Sequence, residues 1–303
     1  MDEWGCLSGS KHAGPLPSHG AQHAAAAKVD SITQLLSQVF LRSSRQKHQL
    51  EKIIIIKLQL DMTRRGAFIV IEGLDRSGKT TQTEHLAEHL ATTTGGGGGD
   101  LLSVSRRKFP GKKRARETSH PSDTLCPLPD RTTGTGQLID AYLNGSSDLD
   151  DRAIHLLFSA NRWEAARALE AQLAAGTTVL CDRYAFSGVA FSAAKGLSLA
   201  WCRAPDVGLP APDLTLFLDL APEAAATRGG YGEERYEKEA LQARVRTLFQ
   251  SLGAETRGWV TIDAGQDREA VSREVWKHVE PLAQGIEAPI SRLWVDGDGS
   301  PSI

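Results

Sequence analysis

Apolar residues fall along this chain in short runs separated by longer stretches of helical spacing. Runs at 67–71, 177–181, 214–218 and 259–262, with a weaker one at 101–104, have the length and the β-branched or aromatic content of buried strands. Between them, apolar positions three and four residues apart predict helices over 79–90, 137–143, 151–175, 222–228, 236–252 and 267–282. Strands that read as continuous apolar runs are buried on both faces. Their alternation with amphipathic helices therefore predicts an α/β parallel sheet covered on both sides. No internal repeat is visible. The glycine run at 95–99 lacks any phosphate-loop context and reads as a surface turn.

Residues 1–61 do not share this pattern. They are rich in Ser, His, Gln and Ala, and their one short helical pattern, near 32–41, has no partner. Arg42, Arg45 and several serines suit an organelle-targeting segment, while Asp2, Glu3, Asp30 and Glu51 do not. Met62 is one of two methionines and stands directly before Thr63-Arg64-Arg65-Gly66 and the first strand. The working protein is accordingly expected to begin at Met62. On that reading 1–61 are a leader or targeting-like extension, 62–295 the folded domain and 296–303 a flexible tail.

Composition changes this picture little. A hydrophobic share of 40 % and a charged share of 24 % are ordinary for a globular chain. The formal net charge of −2 provides no basic footprint for nucleic acid. No run approaches the roughly 18 apolar residues of a membrane span. Cys6, Cys126, Cys181 and Cys202 show neither metal-ligand spacing nor a disulfide framework, which suits a reducing compartment. Cys181, within a strand-like run, reads as a buried thiol.

The chemistry begins where the first strand ends. Gly73-Leu74-Asp75-Arg76-Ser77-Gly78-Lys79-Thr80-Thr81 has the G-x-x-x-x-G-K-T spacing of a phosphate-binding loop. Its glycines let the backbone curl so that N–H groups point at phosphate oxygens. Lys79 adds a cation over the β- and γ-phosphates, and the Thr80 hydroxyl can ligate Mg²⁺. The helix that starts at Lys79 aims the positive end of its dipole at the same oxygens.

Three further clusters accompany the loop. Phe158 and Arg162, in Leu156-Leu157-Phe158-Ser159-Ala160-Asn161-Arg162-Trp163-Glu164, share a helix face. They form either a stacking and edge-bonding pair for a nucleobase or a core phenylalanine beside a surface arginine. Asp182 and Arg183, in Cys181-Asp182-Arg183-Tyr184-Ala185-Phe186-Ser187-Gly188, stand at a strand's carboxyl end, where α/β sheets gather ligands. An acid there can support Mg²⁺ and an arginine can clamp a phosphoryl group. The third cluster, Arg228-Gly229-Gly230-Tyr231-Gly232-Glu233-Glu234-Arg235-Tyr236-Glu237, is either a mobile lid or a plain surface loop.

From Met62 to about Trp294 the chain resembles eukaryotic thymidylate kinases. The stretches that carry the likeness are Glu72–Lys79, Phe158–Glu164, Asp182–Phe191, Pro205-Asp206-Val207-Gly208-Leu209-Pro210 and Glu234-Arg235-Tyr236-Glu237. The resemblance implies a three-layer P-loop NTPase fold, a parallel sheet flanked by helices with a short lid. It implies Mg²⁺-assisted phosphorylation of dTMP by ATP, and a homodimer. ATP would lie on Gly73–Thr81, with Arg228 on the adenine side, and Thr80 and Asp182 would hold the metal. Lys79, Arg76, Arg183 and Asp75 would be the catalytic group, with Arg76 on the transferring phosphoryl. The dTMP site would comprise Asp75 at the 3′-hydroxyl, Arg131 and Arg183 at the phosphate, Phe158 and Arg162 at the base, Ser187, Gly188, and Tyr236 crowding the 2′ position. The compartment would be the cytoplasm or nucleus, or a mitochondrion or plastid if 1–61 act as a targeting segment. A GTPase-type switch would need a guanine-reading Asn-Lys-x-Asp, which the chain does not contain. Another nucleoside or nucleotide kinase fits the Asp75-Arg76 and Phe158/Arg162 pairs less well, and a non-catalytic paralogue would have no need to keep these residues.

Residues 111–129 interrupt the family pattern, which runs Phe-Pro directly into an acid–Arg pair. Gly111-Lys112-Lys113-Arg114-Ala115-Arg116 can be read as a basic patch or localisation signal. The stretch also reads as a retained intron, since Gly111–Lys113 can be encoded with a donor GTAAG and Leu125–Asp130 with a pyrimidine tract ending in CAG. Its removal keeps frame and joins Phe109-Pro110 to Asp130-Arg131. Misplacing a positioning group by about 1 Å can cost on the order of a hundredfold in rate. The chain lacking 111–129 is therefore expected to release ADP with dTMP faster than the full chain. Equal rates would show that the insertion loops out harmlessly.

Overall fold

The computed structural model describes residues 64–94, 104–108, 133–226, 236 and 239–295. The chain divides at Met62, and every described residue belongs to the second unit, Thr63–Ile303. The proposed leader, the 111–129 segment, Arg131, Arg228, most of the glycine-rich 228–237 cluster and the tail all lie outside the described residues.

Five strands form one parallel sheet. They are β1 (Phe68–Gly73), β2 (Val104–Lys108), β3 (Thr178–Asp182), β4 (Leu214–Asp219) and β5 (Trp259–Asp263), in the order β2-β3-β1-β4-β5. Strand β1 is central, pairing Ile71 with Asp182 on one side and with Leu216 on the other. Between and around the strands run α1 (Lys79–Thr94), α2 (Gly134–Leu143), α3 (Asp151–Ala174), α4 (Ala185–Ala193), α5 (Leu199–Arg203), α6 (Pro222–Ala226), α7 (Glu239–Glu255) and α8 (Arg268–Val279).

Alternation along β1 produces three layers. Phe68 and Val70 face a cluster with Ala166, Leu169 and Leu173 of α3, Phe186 and Val189 of α4, and Val245 and Phe249 of α7. Ile69 and Ile71 face the opposite cluster, with Leu86 and Leu90 of α1 and Val271, Val275 and Val279 of α8. All of β1 is buried, which explains why its sequence reads as an uninterrupted apolar run. The start of β1 is pinned as well. Arg65 forks onto Asp213 at 2.6 and 2.7 Å, and Asp213 accepts the Phe68 N–H at 2.8 Å. Side-chain caps start three helices: Thr133 on Gly136, Asp150 on Arg152 and Asp267 on Ala270.

Two expected boundaries differ, and one helix was not expected. The weak strand expected at 101–104 is described over Val104–Lys108, with 101–103 outside the described residues, and it is an edge strand, where charged residues are tolerated. Helix α4 was not visible as periodicity because AFSGVAFSA is apolar nearly all round, with Ala185, Phe186, Ser187, Val189, Ala190 and Ser192 buried. The helix expected to start at Tyr236 starts at Glu239. Among the described residues no helix is long and apolar enough to cross a membrane.

Candidate active site

The loop between β1 and α1 follows from its glycines. A Cβ on Gly73 would lie 2.6 Å from Ser77 Oγ and 2.7 Å from the Leu218 carbonyl, so any larger residue would push the loop off β4. Gly78 has φ 93°, a conformation that costs little only without a Cβ. Lys79 is buried and donates to the Leu74 carbonyl at 2.5 Å and to Ser77 Oγ at 3.5 Å. Burial, helped by the nearby Arg183 cation, draws its ammonium down to about 8; the carboxylates of Asp75, Asp182 and Glu72 pull the other way. A phosphate placed over this lysine would favour the charged form.

Asp75, inside that loop, is tied to two other elements. Its carboxylate pairs with Arg183 and accepts from Gln242 Nε2 at 2.8 Å, while its N–H donates to Gln242 Oε1 at 3.3 Å. Arg183 sits just past β3 and also donates to the Gly73 carbonyl at 3.0 Å and to Ser187 Oγ at 3.1 Å, with its guanidinium 5.3 Å from the Phe191 ring centre. Gln242, on α7, donates to the Tyr236 carbonyl at 2.9 Å. Arg76 and Arg183 both hold left-handed backbone, φ 66° and 70°, at about 1–2 kcal/mol each. Backbone strain of this kind gathers at functional sites.

Glu72 organises the floor. The side chain is fully buried, and it accepts the N–H groups of Tyr184 and Ser187 at 2.9 and 3.1 Å and the Ser187 hydroxyl at 2.5 Å. Strand β1 thereby caps the start of α4 from outside that helix. Burial pushes the Glu72 carboxyl up, against the pull of Ser187, Arg183 and the two backbone amides. Thr80 Oγ1 donates to Asp182 Oδ2 at 2.7 Å, which sets a hydroxyl and a carboxylate oxygen side by side at the loop's edge. Hard oxygen donors of this type suit Mg²⁺, which takes one or two carboxylates and completes its shell with phosphate oxygens and water.

Beside the loop lies an open cleft. Asp75, Phe158, Arg162, Arg183, Ser187, Gly188 and Tyr236 all line it. The eighth expected member, Arg131, lies outside the described residues, as does Arg228. Arg162 is not the surface arginine that helical spacing allowed. It is 1 % exposed and forks onto Asp206 through Nε at 2.9 Å and Nη2 at 2.6 Å, with Ser159 donating to the same carboxylate at 2.7 Å. Gly188 lets this fork come close, because a Cβ there would lie 2.9 Å from Arg162 Nη1. His155 bridges Ser192 Oγ and the Cys202 carbonyl behind the cleft; burial and Arg162 push its pKa down. Sequence reasoning did not mark Glu72, Gln242, Asp206 or Lys195. Glu72 and Asp206 stood within family-like stretches without a role, and Gln242 has no local signal at all.

A parallel sheet whose central strand ends in a glycine-bounded loop, a buried lysine and a helix N-terminus defines a P-loop nucleotide-binding protein. The family model for thymidylate kinase matches residues 113–275. The thymidylate kinase of Arabidopsis thaliana is 44 % identical over 241 residues, covering 79 % of this chain and 81 % of its own. That of Homo sapiens is 42 % identical over 234 residues, covering 76 % and 98 %. A solved structure of thymidylate kinase from Candida albicans superposes with a TM-score of 0.62 at 34 % identity, covering 75 % of this chain and 98 % of that one. The chain belongs to the thymidylate kinase family.

Glu72→Gln replaces one acceptor oxygen with an amide that faces donors. We expect it to cost about 1–3 kcal/mol in urea unfolding, the usual penalty for buried donors left without acceptors. A loss below about 0.5 kcal/mol, the range of an inert surface change, would contradict the capping role.

Proposed function

We propose that this chain transfers the γ-phosphoryl group of ATP to dTMP, yielding dTDP and ADP. The observation that carries this reading is Asp75. One loop holds both the phosphate-binding backbone and a carboxylate lining the adjacent cleft, so donor and acceptor would meet across a single turn of chain.

In this reading Lys79 and the N–H groups from Gly73 to Thr81 bind the ATP phosphates. Arg76 sits on the transferring group and Arg183 grips the acceptor phosphate. Asp75 takes the 3′-hydroxyl, Phe158 stacks on thymine and the Asp206-braced Arg162 faces its edge. Ser187 and Gly188 form the floor, and Tyr236 crowds the 2′ position. Arg131 at the acceptor phosphate and Arg228 on the adenine side complete the set by family resemblance. Thr80 and Asp182 would hold Mg²⁺, which would supply countercharge to the ATP phosphates. Phosphoryl transfer needs little covalent help, so the residues act by aligning the acceptor oxygen and by offsetting the repulsion between two polyanions. The bidentate Asp206 brace keeps the Arg162 fork oriented before the base arrives.

We further propose a homodimer. Leu138 of α2 and Leu156 and Trp163 of α3 are 51 %, 46 % and 43 % exposed, and Leu156 and Trp163 are two turns apart on one helix face. Cysteine usage supports a reducing compartment, cytoplasm or nucleus, with mitochondrion or plastid the alternative if residues 1–61 target the chain there.

A panel of monophosphates with ATP and Mg²⁺ tests the substrate. A missing methyl is worth about 10–200-fold, whereas a crowded hydroxyl is rejected far more strongly. The expected order of kcat/KM is dTMP, then dUMP with slow but measurable turnover, then UMP close to background. Comparable values for UMP and dTMP would overturn the reading.

A further inference from the structure

At the sugar end of the proposed dTMP cleft, one ammonium joins four segments of the chain. Lys195, two residues past α4, donates to Asp151 Oδ1 at 2.7 Å, to Tyr236 OH at 3.2 Å and to Tyr142 OH at 3.3 Å. These partners come from the start of α3, the edge of the lid and α2 respectively. An ammonium has three N–H donors, so all three are engaged and none is left for a ligand. The same nitrogen lies 4.7 Å from the ring centre of Tyr236 and 5.6 Å from that of Tyr142, within cation–π range of both.

Tyr236 is thus held from two directions. Its carbonyl is tied to Gln242 and through it to Asp75, while its ring is tied to Lys195 and rests tilted against Phe191 at 5.7 Å. A steric wall excludes a hydroxyl only if it cannot swing aside, so a discriminating side chain needs a brace. We propose that Lys195 is that brace. It is a positioning residue that fixes the Tyr236 ring and thereby sets how strongly the site rejects ribose in favour of deoxyribose monophosphates. The inference rests on the reading of Tyr236 as the 2′ wall.

Lys195→Met keeps the stem that lines the cleft and removes the three donors. The Asp151 side chain is 44 % exposed and can take water in exchange, so the fold should persist. Lys195→Gln serves as a second variant under the same criterion. The measurement is kcat/KM for dTMP and UMP in the wild type, each Lys195 variant, Tyr236→Ala and the double variant Lys195→Met/Tyr236→Ala. Lys195→Met should hold kcat for dTMP within about threefold and raise the UMP-to-dTMP ratio about tenfold, with the double variant no more permissive than Tyr236→Ala. A ratio unchanged in both Lys195 variants, beside a raised ratio in Tyr236→Ala, would overturn the role of Lys195 alone. An unchanged ratio in Tyr236→Ala would overturn the 2′-wall reading and the brace with it.

Discussion

The carboxylate of Asp75 is the point on which the site depends. An acid inside a phosphate-binding loop opposes the loop's purpose unless its charge is committed elsewhere. Here it is committed twice, to Arg183 beyond β3 and to Gln242 on α7. Those contacts join the loop, a neighbouring strand end and the start of α7 into one unit. They also place the left-handed backbone of Arg76 and Arg183 where surrounding bonds can hold it. Removing Arg183 would leave the partly buried Asp75 carboxylate without its counter-ion, which is costlier than losing a single contact.

The wider electrostatics follow the same arrangement. Glu72, Asp75 and Asp182 interleave with Lys79, Arg76 and Arg183 within a few residues of the ends of β1 and β3. Lys79 is buried, and its ammonium keeps a value near 8 because the three carboxylates offset part of its burial and of the repulsion from Arg183. Glu72 acts on geometry, fixing the first turn of α4 and hence Ser187, which accepts from Arg183. Strand β1 therefore supports both sides of the site, the loop through its carboxyl end and the adjacent cleft through Glu72.

Much of this was legible in the sequence, and the parts that were not have physical reasons. Central strands show as apolar runs because both faces are buried, and the P-loop shows because its glycines are required one by one. Helix α4 was hidden because burial on nearly all sides erases the 3.6-residue period. Strand β2 was legible only as a weak run because an edge strand tolerates charge. At the site, Phe158, Arg162 and Arg183 could be named from local motifs, and Ser187, Gly188 and Tyr236 through the family resemblance; all six share one cleft with Asp75. Gln242, Asp206 and Lys195 could not be assigned a role, since each acts on a residue distant in the chain, such as Asp75 or Arg162, and carries no local signature. Braces of this type emerge only once the fold brings the segments together.

The central claim is that Asp75 and Arg183 act as one unit in holding the acceptor. The most direct measurement is a double-mutant cycle on kcat/KM for dTMP with Asp75→Asn, Arg183→Met and the pair. If the two act together, each single variant loses on the order of a hundredfold and the double variant loses little more than the worse single one. Fully additive losses would show two independent contacts and would contradict the account.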